Sequence, residues 1–171
     1  MKAGFRLFCL LAVALIALDQ VVKVWARTAA GGVEGHTFLS LWPNVFELKL
    51  VYNEGVAFGM MQGAGVYLTP VAVAIAGLAG WYSWNHAKNQ IGLHVTCALL
   101  AAGSIGNLVD RIARGKVTDM FWFRPINFPV FNVADVCITV AGTLFILGAL
   151  RDTTKGPKSM PPDATAADKA A

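Results

Sequence analysis

Asp119 and Asp135 stand out because so little around them neutralises their charge. Lys116, three residues before Asp119, is the one cation within four positions of either. Asp135 follows Asn132 by three residues, and the hairpin-length stretch between the two aspartates allows them to meet at one spot. Two carboxylates held together cannot both ionise easily, so they share a proton and titrate as a unit. Such a pair can hold a water, take its proton with the ionised member and protonate a leaving amine with the other. The same spacing also describes two unrelated aspartates that cap helices or join polar networks, and spacing alone leaves both readings open. Asp19 and Lys23 lie four apart, which suits an internal pair or simply a charge-neutralised helix end. Gly103, Asn107, Asp110 and Arg111 fall at i, i+4, i+7 and i+8, so they share one helix face. A structural polar network and a substrate-binding edge fit that face equally.

Other chemistries lack their parts. His36, His86 and His94 are isolated, so the His-Glu-x-x-His spacing of a metalloprotease is missing. Ser104 has no base beside it, since His94 is ten residues back on the same helix, about 15 Å away. No phosphate-binding glycine loop is present. Cys9, Cys97 and Cys137 all sit inside apolar runs and read as small buried hydrophobes. Cys9 is no lipobox cysteine, because its apolar stretch continues to Leu18.

The elements that position these residues follow from composition. Of 171 residues, 56% are hydrophobic and 14% charged, whereas soluble domains carry about 25% charge. Mean hydropathy is +0.57. The net charge of +4 is scattered between apolar runs, so no nucleic-acid footprint is expected. A polytopic α-helical membrane protein is expected, because four segments approach the roughly 20 apolar residues that span a bilayer. The expected spans cover about 5–26, 66–84, 91–111 and 131–150 of a single membrane domain, residues 1–154. The first has basic flanks like a signal peptide, but Asp19, Lys23 and Trp25 at its far end and a poor cleavage site mark it as a retained span. Ala98, Ala102 and Gly106 recur every four positions, as tight helix packing in lipid requires.

Four spans put both termini on one side, and lysine and arginine counts near the spans lean towards that side being cytoplasmic. Segments 27–65 and 112–130 are then extracytoplasmic. Phe46–Tyr52 alternates like a strand with one apolar face, and the Gly55, Gly59, Gly63 and Gly65 that follow predict a turn-rich, mobile stretch. Met120–Phe123, with Pro125 and Pro129, suits the membrane–water boundary. Residues 155–171, rich in Pro, Ala and Asp, read as a disordered cytoplasmic tail.

Five stretches then acquire meaning together: Asp19–Lys23, Tyr52–Gly59, Gly103–Arg111, Val117–Met120 and Phe131–Asp135. In this order, on a four-span chain, the sequence resembles the lipoprotein signal peptidases (signal peptidase II). Met120 departs from the family's frequent Phe, and the tail after Arg151 matches nothing specific. The resemblance implies four transmembrane helices with a small extracytoplasmic β-sheet and a mobile loop over the site. It implies an aspartic endopeptidase of the bacterial inner membrane, active at the extracytoplasmic face. The substrate would be a diacylglyceryl-modified prolipoprotein, cut just before its lipidated cysteine, with membrane lipid as the surrounding partner. By the same resemblance Asp119 and Asp135 are the catalytic pair. Asn53, Asn107, Arg111 and Asn132 line or support the substrate site, and Asp19, Lys23 and Asp110 hold its scaffold. No metal or organic cofactor is implied. A small proton-coupled transporter is the alternative that intramembrane carboxylates suggest, and a non-catalytic membrane chaperone is a third reading.

Overall fold

The computed structural model describes residues 3–55, 65–86 and 90–154. Gly59 and Gly63 of the stretch expected to be turn-rich, residues 87–89 and the tail from 155 lie outside the described residues. Four α-helices are present among the described residues: α1 (Ala3–Ala29), α2 (Gly65–Asn85), α3 (Ile91–Arg114) and α4 (Val133–Thr154). Three strands, β1 (Thr37–Trp42), β2 (Phe46–Asn53) and β3 (Val117–Phe123), form one antiparallel sheet in the order β1-β2-β3. α1, α3 and α4 are each long and apolar enough to cross a membrane. α2, of 21 residues with no Asp, Glu, Lys or Arg, completes the bundle. The chain is a polytopic α-helical membrane protein carrying a small sheet.

α3 is the central helix and packs against α1, α2 and α4. Of its most apolar window 56% is buried, against 17% for α1 and α4, whose outward Leu10, Val13, Phe145 and Ile146 present bare hydrocarbon. Small residues make the centre possible. Ala98, Ala102 and Gly106 are buried. A methyl group added at Gly103 would meet the Ala134 carbonyl oxygen at 2.5 Å and Ile138 Cγ1 at 2.6 Å; one at Gly106 would meet Asp19 Oδ2 at 2.7 Å. These two glycines therefore let α4 and the Asp19 carboxylate close onto α3.

Two local features aim the chain at the site. Gly115 ends α3 with φ +75°, a left-handed turn that glycine adopts without a Cβ clash, and its N–H donates to Arg111 O at 2.9 Å. The chain reverses there into β3, where Asp119 pairs in register with Val51 of β2. Phe121 then exchanges backbone hydrogen bonds with Phe131 at 2.8 and 3.1 Å, which draws the approach to α4 back beside β3. The hairpin between the two aspartates is thus closed by backbone pairing.

The structure moves several expected boundaries. α3 runs to Arg114 and α1 spans Ala3–Ala29, both beyond the apolar windows. α4 starts at Val133 and not at 131, because Asn132 caps it. The strand expected within Phe46–Tyr52 is β2. β1 and β3 are additional, and β3 carries its buried residues consecutively from Val117 to Met120, so it shows no alternation.

Candidate active site

Asp119 on β3 is 1% exposed. Its Oδ1 accepts a hydrogen bond from Asn132 Nδ2 at 2.6 Å and its Oδ2 one from Asn53 Nδ2 at 3.3 Å. Burial, and after it the nearby charge of Asp135, pushes the Asp119 carboxyl from its ordinary 3.8 up to about 7, against the pull of both asparagine amides. Asp135 lies in the first turn of α4. Its Oδ1 accepts from Asn107 Nδ2 at 2.8 Å and its Oδ2 from the backbone N–H of Asn132 at 3.2 Å. In return the Asp135 backbone N–H donates to Asn132 Oδ1 at 2.9 Å. This reciprocal exchange is a capping box, with Asn at the cap and Asp three residues on. Asp135 therefore caps a helix, as one reading of the spacing allowed, and also lines the cavity that Asp119 lines.

Behind the carboxylates lies a buried relay. Lys23 Nζ, wholly buried, sits 2.9 Å from Asp19 Oδ2 and donates to Asn107 Oδ1 at 2.9 Å. Asn107 Oδ1 also accepts from Asn132 Nδ2 at 3.0 Å. With its oxygen facing a cation and a second amide, Asn107 can present only its Nδ2 to Asp135, so Lys23 fixes that amide's orientation. Asp19 reaches across from α1 to take the Ala134 N–H at 2.9 Å, supplying α4 with a second cap from another helix. Asp110 accepts from the Thr118 N–H at 2.8 Å and pins the start of β3.

Asn53, Asn107, Arg111, Asp119 and Asp135 line a single cavity of about 500 Å³. Its remaining walls are mostly apolar, with Leu68, Val71 and Ile75 from α2 facing Val136 and Val140 from α4. Asn132 is fully buried and bridges both carboxylates from behind. Arg111 Nη2 donates to Gly55 O at 3.4 Å, and its buried Nε has no hydrogen-bond partner among the described residues. Asp19, Lys23 and Asp110 stand behind these residues and outside the cavity lining. Sequence reasoning missed three contributors. Arg27 Nη1 donates to Thr118 Oγ1 at 2.8 Å and lies 3.6 Å from Asp110 Oδ1, and Gln20 Nε2 donates to Asp19 Oδ2 and Gly106 O, each at 3.0 Å. Arg27's spacing of four from Lys23 and eight from Asp19 is the signal that could have found it. Among the described residues no three His, Cys, Asp or Glu side chains gather as a metal site.

This arrangement can bind an extended backbone through amide and guanidinium groups, house hydrocarbon beside it, and present two carboxyls to one cavity. Known proteins share the chain's sequence and shape. A family model described as Signal peptidase (SPase) II matches residues 11–151. A lipoprotein signal peptidase of Gloeobacter violaceus is 37% identical over 165 residues, covering 92% of this chain and 89% of the relative. One from Gloeothece citriformis is 39% identical over 145 residues, covering 83% and 87%. Among solved structures, a bacterial membrane enzyme determined by the in meso method at 2.3 Å resolution matches with a TM-score of 0.79 at 26% identity, covering 90% of this chain and 93% of that one.

Proposed function

This chain belongs to the signal peptidase II family, and from that premise we propose that it is an aspartic endopeptidase cutting diacylglyceryl-modified prolipoproteins just before the lipidated cysteine. The observation that carries the aspartic assignment is the pair of carboxyls on one cavity, with Asp119 held near neutrality and Asp135 surrounded by donors. Asp135 is the base and Asp119 the acid. Asp135 takes a proton from water as the water oxygen bonds to the scissile carbonyl carbon, while Asp119 gives its proton to the carbonyl oxygen. The tetrahedral diol then collapses. The C–N bond breaks, the proton on Asp135 passes to the leaving amine, and Asp119 recovers its proton from the diol. Each carboxyl ends as it began.

The other residues serve this step. Arg111, whose buried Nε has no partner among the described residues, and Asn53 offer donors to the substrate backbone, whose polar groups need partners in a half-dry site. Asn107 and Asn132 orient the carboxyls. Asp19, Lys23 and Asp110 hold α1, α3, α4 and β3 in place. The apolar walls from α2 and α4 suit an acyl chain, each buried CH₂ of which is worth about 0.8 kcal/mol. The site belongs at the extracytoplasmic face of the bacterial cytoplasmic membrane, with both termini cytoplasmic and residues 1–154 forming one membrane domain. A proton-coupled transporter has no support from the family.

The test is a pH–rate profile on purified enzyme with a lipidated precursor. The rate should fall at low pH as Asp135 is protonated. It should fall again above about pH 7 as Asp119 loses its proton. A rate that rises steadily through pH 7 and beyond would exclude Asp119 as the acid.

A further inference from the structure

Thr118, the residue immediately before Asp119, is held at two points. Its backbone N–H donates to Asp110 Oδ2 at 2.8 Å, and its hydroxyl accepts from Arg27 Nη1 at 2.8 Å. Arg27 stands in the last turn of α1, and its guanidinium also lies 3.6 Å from Asp110 Oδ1. The Arg27 and Asp110 side chains therefore tie the ends of α1 and α3 to one strand residue that is fully buried. Successive side chains of a strand point to opposite faces. Val117 and Asp119 line the cavity, and Thr118 lies on the other face. Fixing both the N–H and the hydroxyl of Thr118 adds to the β2 pairing a restraint from the helix side on rotation of the strand about its own axis at that point. On the cavity side, Asn132 and Asn53 grip the Asp119 carboxyl, and the backbone around it is held by pairing with β2 on one edge and by the Met120 N–H on Phe131 O at 3.1 Å on the other.

We infer that Arg27 and Thr118 are positioning residues for Asp119: their hydrogen bond trims, within the sheet pairing, the rotation of β3 that aims the carboxyl into the cavity opposite Asp135. The inference rests on the reading of Asp119 as the catalytic acid. Neither residue faces the cavity, so neither touches substrate. Their effect passes through Asp119, whose charged neighbours include Asp135, Lys23 and Arg111.

The experiment compares Thr118→Val, Thr118→Ser, Arg27→Leu and the double variant Arg27→Leu/Thr118→Val, all full-length in detergent micelles, on a lipidated precursor. Thr118→Val keeps the shape and removes the acceptor, so it decides the matter even if Arg27→Leu accumulates poorly. Expected is a fall in kcat of about tenfold to a hundredfold with KM unchanged, the size that slight misplacement of a reacting group produces. The alkaline limb of the pH–rate profile should move to lower pH, because a strand less firmly held on its helix side wets the carboxyl. Thr118→Ser should behave as wild type, and the double variant should be no worse than the poorer single one. Wild-type kcat and limb in Thr118→Val would overturn the inference. So would losses that merely follow a lower folded fraction with the limb unmoved. Asp119→Asn is run alongside: if it still cleaves, the catalytic reading fails and takes this inference with it. If it is dead while Thr118→Val is normal, only the positioning role is lost.

Discussion

Replacing Asp119 by Asn removes a charge that the fold resists, and the effect on stability can be worked through. The residue is 1% exposed, and its carboxyl titrates at about 7 in place of 3.8, through burial first and the charge of Asp135 second. A carboxyl raised in this way suits the fold while protonated. Its contribution is intact below the unfolded value and is lost as pH climbs from about 4 to about 7. At about 1.36 kcal/mol per unit, ionisation costs the folded state about 4 kcal/mol by about pH 8, of which about 2 to 3 kcal/mol is lost between about pH 5 and about pH 8. Asparagine keeps an oxygen for the Asn132 donor but turns an amine towards Asn53 Nδ2, a loss of about 1 kcal/mol that does not vary with pH. Asp119→Asn should therefore be close to neutral near pH 5 and clearly stabilised near pH 8, although inactive at both. Thermal or denaturant unfolding of both proteins in the same micelles gives the difference directly. A mutant-minus-wild-type difference that stays flat or shrinks as pH rises would refute a buried carboxyl near neutrality.

Other expectations follow from packing and topology. Asp19→Ala strips the buried Lys23 of its 2.9 Å partner and α4 of its Ala134 cap, so it should lose about 3–5 kcal/mol and accumulate poorly; normal abundance and melting with no activity would move Asp19 into the chemistry. Gly103→Ala puts a methyl 2.5 Å from the Ala134 carbonyl oxygen and should cost about 1–3 kcal/mol by prising α4 from α3, read as a lower melting temperature; an unchanged one would show that α4 shifts freely. In a background lacking the three native cysteines, single cysteines at Ser40 or Gly115 should react with an impermeant thiol reagent from outside, and one at Asn85 only after the membrane is opened. The reverse pattern would put the carboxyls on the cytoplasmic side.

Much of this arrangement was visible in the chain, for identifiable reasons. Membrane spans announce themselves because lipid tolerates few charges, so each polar residue within them was conspicuous. β2 alternates because one side of it is covered. β3 was invisible because Val117 through Met120 are buried in succession, leaving an apolar run without period. β1 is short and mostly exposed, so burial left little pattern in it. The start of α4 was misjudged by two residues for a different reason. Phe131 and Asn132 look like the opening of an apolar helix, whereas the Asn132–Asp135 spacing is a capping signature that places the first helical residue at Val133. Arg27 and Thr118 escaped notice because they meet across 91 positions of sequence, through a helix–strand approach that periodicity within either element does not encode. Lys23's grip on Asn107 was hidden in the same way: the i+4 pair with Asp19 was legible, the third partner on another helix was not.

Cleavage of a purified lipidated precursor by wild type, Asp119→Asn and Asp135→Asn, each at matched folded concentration, bears most directly on the two carboxyls. Uncut precursor should persist with either variant while both remain inserted and folded, since an amide can act neither as the base nor as the acid. Near-normal release of the signal peptide by either folded variant would contradict the paired-aspartate mechanism.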